Sequence, residues 1–216
     1  MSVKCEIKDY KIIKKKLDDM LGRTAPKKVL ERTLSDVRTR APGWVAAEVV
    51  KVYGVKKSEI TGNELGKVKV TGNSMKNVSI KYTGRMLTHT HFGMSPTAPK
   101  EGGGAYTLKA TIVKGERATL GKVKKLTKKQ RAALSKNLTQ SGTQTSDHSP
   151  IMLMRAKGGH YLPFQRKSTD RKDVKVIKAI SLPQMVSSER THDSIQAAIN
   201  EKLGKRLDQH MKLLEK

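Results

Sequence analysis

Cysteine is nearly missing from this chain. Cys5 stands alone among 216 residues, so no intrachain disulfide can form. That excludes a disulfide-stapled secreted scaffold and suits synthesis in a reducing cytoplasm. Aromatic residues make up 4% and apolar residues 36% of the chain, so any core is modest and mostly aliphatic. No apolar run approaches the length of a membrane span. Lys14, Lys15 and Lys16 interrupt any apolar stretch near the start, which argues against a signal peptide. Acids are the remaining shortage: 19 Asp+Glu against 45 Lys+Arg leave a net charge of +26. An isolated small monomer with that charge repels itself, which implies a polyanionic partner or a crowded assembly.

The excess is uneven. Residues 61–180 carry +18 of the +26, whereas residues 181–216 carry only +1. The middle is therefore expected to face an anion and the ends to pack. The length allows one compact domain or two small ones, and the chain reads as a single domain over 1–216. Within it, 1–64 is a helical lead-in and 65–180 a β-rich part with a flexible basic loop at about 117–150. Residues 181–216 form a C-terminal helix.

Periodicity supports that division. Tyr10, Ile13, Leu17, Met20 and Leu21 fall on one face of a helix over 9–21. A second helix begins near Pro26, carries Val29, Leu30, Thr33, Leu34 and Val37, and ends before Pro42. A third, over 43–53, holds Trp44, expected as a core anchor between helices, and stops at Gly54. Residues 56–64 add one short turn. These apolar stripes need a sheet to cover them.

From Lys67 the period changes to two. Residues 67–70 and 78–82 alternate around Gly72-Asn73-Ser74, and YTLKATIV alternates over Tyr106–Val113 before a turn at Lys114-Gly115. Residues 85–100 form an irregular connection with two prolines. Residues 151–166 read as a hairpin turning at Ala156-Lys157-Gly158-Gly159, and 173–180 as a half-buried strand. Pro183 suits a first helical turn. A long stripe of Ile195, Ile199, Leu203, Leu207, Met211 and Leu214 then predicts one helix over 188–214. Gly204 inside it costs about 1 kcal/mol unless a close helix contact uses it. The sum is five or six strands in an α+β fold: N-terminal helices, a central mostly antiparallel sheet with basic loops, and a long C-terminal helix.

The basic cluster Lys122, Lys124, Lys125, Lys128, Lys129 and Arg131 either grips phosphates, or acidic protein, or forms a solvated charged loop. Base-specific reading has no helix-turn-helix, zinc-finger or aromatic ribonucleoprotein motif to serve it. His89 and His91 have the spacing of two side chains on one strand face. One cysteine and few nearby acids give a metal no further ligands, so hydrogen-bonded loop histidines are the simpler reading. Gly102-Gly103-Gly104 and Gly158-Gly159 match no Walker or dinucleotide fingerprint. Ser146-Asp147-His148-Ser149 lies in a low-complexity loop, not on the ordered elements from which triads assemble. No catalytic residue, metal site or cofactor is assigned.

Three stretches then share an order and spacing with a known family: 85–116 (RMLTHTHFGMSPTAPK, then YTLKATIVKGE), the hairpin 151–166 ending in LPFQR, and VKVIKAISLPQMV with the long helix after it. Together they resemble the minor tail protein Z family of tailed bacteriophages and prophages. The resemblance spans nearly the whole chain and is weakest over 121–149. It implies a non-enzymatic tail completion protein at the head-proximal end of the tail, part of a head–tail joint competent to pass DNA. Its implied partners are other copies in a ring, the tail terminator, connector and tube, and lumenal DNA met without sequence preference. The implied location is the virion, after assembly in the host cytoplasm and without membrane contact. Ile195, Ile199, Leu203 and Leu207 are then packing or assembly residues, on the sheet or a neighbouring subunit. The competing reading is a sequence-nonspecific nucleic-acid-binding protein associated with ribosomes or DNA.

Overall fold

A computed structural model describes residues 2–4, 15, 25–72, 78–102, 104–123, 151–156, 158–166 and 173–213. The helix expected over 9–21 lies outside them except for Lys15, which is helical and exposed. The fold is α+β, with a long helix near each end of the described chain and a mostly antiparallel set of strands between. Ten strands are present among the described residues, more than the five or six expected. Packing divides the chain into two compact units that do not follow sequence order. The first takes 1–52, 56–85 and 180–216; the second takes 53–55 and 86–179.

In the first unit, α1 (Ala25–Val52) is one helix of 28 residues with Pro42 inside it. The expected break before Pro42 does not occur. Proline removes one helical N–H and crowds the preceding turn, at a cost of about 3 kcal/mol. Against that cost stands a row of every fourth residue: Val29, Thr33, Val37, Ala41, Val45 and Val49 are all buried, on both sides of the proline. Breaking the helix would expose half the row. After the short α2 (Lys57–Thr61), β2 (Lys67–Thr71) and β3 (Ser79–Thr83) form the expected antiparallel hairpin. On the far side of β3 lies β1 (Ser2–Lys4), a strand too short to show in the sequence pattern. Gly66 and Gly84 flank the hairpin at its open end. A Cβ on Gly66 would fall on the Thr83 carbonyl oxygen, and one on Gly84 would lie 2.8 Å from that of Leu65.

The unit is closed by α3 (Leu182–Ser187) and α4 (Glu189–Lys212). A capping box starts α3: Ser181 Oγ accepts from the Gln184 N–H, and Gln184 Oε1 accepts from the Ser181 N–H at 2.8 Å. Helix α4 buries its own fourth-residue row of Thr191, Ile195, Ile199, Leu203 and Leu207. That row packs principally on α1, helix on helix, instead of on a sheet or a neighbouring subunit. Val29 joins Leu207, Leu30 and Met211 in one apolar cluster. Further along, Asp36 of α1 meets His210 Nε2 at 3.1 Å and Arg206 Nε at 3.8 Å.

The second unit centres on a five-stranded sheet in the order β5-β6-β7-β8-β9. These strands are β5 (Tyr106–Val113), β6 (Glu116–Val123), β7 (Ile151–Arg155), β8 (Tyr161–Arg166) and β9 (Val174–Val176). Most of β6 falls within the loop expected over about 117–150, and ERATLGKV shows no regular alternation. It is held by pairing with β5 on one side and β7 on the other. The expected strand over 173–180 is divided at Ile177 into β9 and β10 (Lys178–Ser181), the latter laddered with β4 (Met86–Thr88). Met94, Tyr106, Leu108 and Ile151 form the core, with Leu120, Val123, Leu153 and Ile177 against it.

Two neighbours on α4 give opposite predictions. A Cβ on Gly204 would meet nothing within 4 Å, so no close contact uses this glycine. Gly204→Ala should raise unfolding free energy by about 1 kcal/mol, through helix propensity alone. Leu203→Ala, at a side chain 4% exposed, should lower it by about 2–5 kcal/mol. Urea denaturation followed by circular dichroism measures both; a destabilised Gly204→Ala would mean that the helix requires the glycine.

Candidate functional site

The second unit presents a basic face on the β5–β6 pair. In β5, Tyr106, Leu108 and Ala110 are buried while Lys109 is exposed, so alternation turns Lys109 away from the core. Lys114 and Gly115 make the tight turn, with Gly115 at φ +82°. Returning along β6, Lys122 stands opposite Thr107, on the same outer face as Lys109. A register shift between Leu108 and Lys109 leaves Leu120 as an extra residue, free to pack on the core. Gly121 sits at the shift with φ +146°, where a Cβ would lie 2.7 Å from Ile151 Cδ1. Only glycine lets β6 bulge there while Ile151 stays in the core.

Lys109, Lys114, Arg117 and Lys122 are all exposed, and none forms an ion pair among the described residues. A set of exposed ammonium and guanidinium groups on a strand pair, here with Glu116 as the one acid of the two strands, can hold phosphates or carboxylates by Coulombic attraction, indifferent to base sequence. Of the six cluster residues named from the sequence, Lys122 is placed, on strand and not on loop. Lys124, Lys125, Lys128, Lys129 and Arg131 lie outside the described residues. Lys109 and Arg117 were not singled out, although the alternation of YTLKATIV already put Lys109 on the polar face.

Strands β6 and β7 are parallel neighbours, with Val123 opposite Ile151.

The other named residues are structural in placement. Ile195, Ile199, Leu203 and Leu207 are each 5% exposed or less, so they form the interior of the first unit and offer no surface. Trp44 is only half-buried, with the Lys202 ammonium 5.9 Å from its ring centroid; it is not a core anchor. His89 and His91 lie on a 3-10 turn (His89–Phe92), where residues two apart do not share a face as they would on a strand. His89 is buried and its Nδ1–H donates to the Ile177 carbonyl at 3.2 Å. Desolvation holds its pKa below the ordinary imidazole value, opposed by that hydrogen bond. Among the described residues no three His, Cys, Asp or Glu side chains gather as metal ligands, and no helix is long and apolar enough to cross a membrane.

Comparison with family models, with curated proteins and with solved structures gives no match.

His89 gives the fold a pH dependence with a definite sign. The unfolded chain binds a proton near the ordinary imidazole value, while the folded state resists it. Stability is therefore full above that value and falls as pH drops through it toward the lowered folded pKa. Thermal midpoints taken from about pH 8 to about pH 5 should decline more steeply in wild type than in His89→Asn. Parallel curves for the two proteins would remove His89 from the account.

Proposed function

We propose that this chain is a structural tail completion protein, working without catalysis at the head-proximal end of a phage tail, in the joint around the DNA path. Two supports combine. One is the family resemblance carried by 85–116, 151–166 and 174–186 with the helix after them. The other, which carries the reading, is the outer face of the β5–β6 pair. On it and at its turn Lys109, Lys114, Arg117 and Lys122 stand exposed, forming no ion pair among the described residues, and the basic residues 124–131 follow in the sequence.

Such a face suits a component that lies beside DNA without reading its sequence. Copies would be arranged as a ring, in which strand edges meet neighbours. At one end of the five-stranded order, β9 offers an edge that no strand of its own sheet covers among the described residues. The tail terminator, connector and tube are the protein neighbours this reading requires, and the virion is its site of action.

The test replaces Lys122, Lys124, Lys125, Lys128, Lys129 and Arg131 by glutamine. In duplex-DNA binding, each lost phosphate contact should reduce the slope of log K against log salt by about 0.9. Tails carrying the variant should assemble, yet join heads or pass DNA poorly. Fully infectious particles would mean that the segment is a solvated loop. Tails that never form would point to an acidic protein neighbour instead of DNA. Nucleic-acid binding that persists in a protein missing from purified virions by immunogold imaging would favour a general nucleic-acid-binding protein.

A further inference from the structure

A second basic site lies in the first unit. Between α1, α2, the turn after it, β2 and α4 opens a cleft of about 520 Å³. Its walls bring together Arg40 and Trp44 of α1, Lys57 of α2, Asn63, Val68 of β2 and Lys202 of α4. Among the described residues no aspartate or glutamate lines it. Arg40 is partly occupied by Asp36 at 3.5 Å. Neither Lys57 nor Lys202 forms an ion pair among the described residues; the Lys202 ammonium lies over the face of Trp44 and acts on the exposed Glu201 carboxylate only through Coulombic attraction. The cleft thus has apolar walls at Trp44 and Val68 and carries cations with unspent donor capacity.

We propose that this cleft receives an acidic segment of a protein partner, with carboxylates on Lys57 and Lys202 and an apolar side chain against Trp44 and Val68. Charge complementarity chooses the occupant. A second copy of this chain, at +26, is a poor one, and the cations call for a partner of opposite sign. The cleft geometry then favours peptide over nucleic acid. A duplex is too wide to enter a cleft of side-chain dimensions. A single strand binds by stacking bases on aromatic faces, and the Lys202 ammonium already holds a place over the indole. Tryptophan and arginine beside a pocket are also the residues around which protein interfaces concentrate their binding energy. This inference stands independently of the tail reading: a cleft for acidic peptide serves any assembly whose partner is acidic.

Two features make it directly testable. Trp44 is the sole tryptophan, so its emission reports on this cleft alone. Gly43 lies on the wall, and a Cβ there would meet nothing within 4 Å. Gly43→Leu therefore fills the cleft without removing charge, and replaces a helical glycine by a better helix former. The probe is a short end-labelled peptide of glutamate and leucine, with a single-stranded oligothymidylate as competitor. The expected result is saturable peptide binding by anisotropy, with a matching change in Trp44 emission. Lys57→Gln and Gly43→Leu should each weaken binding by roughly tenfold, the equivalent of one charge-assisted hydrogen bond. Circular dichroism of both variants should match wild type, since Lys57 is exposed and Gly43 borders open space. Binding that leaves Trp44 emission unchanged, or that Gly43→Leu does not weaken, would overturn the proposal by placing the peptide on the general charge of the surface. Oligothymidylate that displaces the peptide at lower concentration would overturn it in favour of nucleic acid.

Discussion

The row of fourth residues on α1, from Val29 to Val49, meets a second such row on α4, from Thr191 to Leu207. Each buried Val, Ile or Leu in those rows contributes about 1.5–3 kcal/mol, so even part of the contact outweighs the disturbance at Pro42. The contact also sets the order of the polar groups around it. Val29 lies with Leu207 and Met211, Asp36 with Arg206 and His210, and Trp44 with Lys202. The helices thus run in opposite senses. The cleft at Trp44 exists because the two rows hold α1 and α4 in register.

Glycine does comparable service elsewhere, at positions where backbone approaches too closely for a side chain. Gly54 donates its N–H to the Ile112 carbonyl at 3.0 Å, and a Cβ there would collide with the Thr111 carbonyl oxygen. Gly121 combines a bulge with contact to Ile151. Without that bulge Leu120 and Lys122, two residues apart, would share one face, and Leu120 could not pack on the core while Lys122 stays outside. The charge of the outer face thus depends on a residue that carries none.

Where one periodicity ran uninterrupted, the sequence was readable. Tyr106–Val113 and the stripe of α4 are legible because burial on one face leaves its spacing in the residue order. Pro42 misled because a local rule was applied where tertiary packing prevails. Strand β6 was missed because a strand paired on both sides needs little apolar alternation, and β1 because three residues carry no period. The basic face was half legible: the run of charge was plain, while its start on a strand was not. The cleft was not legible at all. Arg40, Lys57, Asn63, Val68 and Lys202 come from separate elements, and nothing in their spacing announces that folding will gather them around Trp44.

The pairing of Val123 with Ile151 has a consequence for how this sheet is put together. It joins two antiparallel hairpins, β5–β6 and β7–β8, through a single parallel register. Each hairpin closes on residues near to one another in the chain, whereas their junction brings together residues far apart in sequence. The entropy of loop closure therefore falls mainly on that one junction, and the hairpins on either side of it are the parts able to form first.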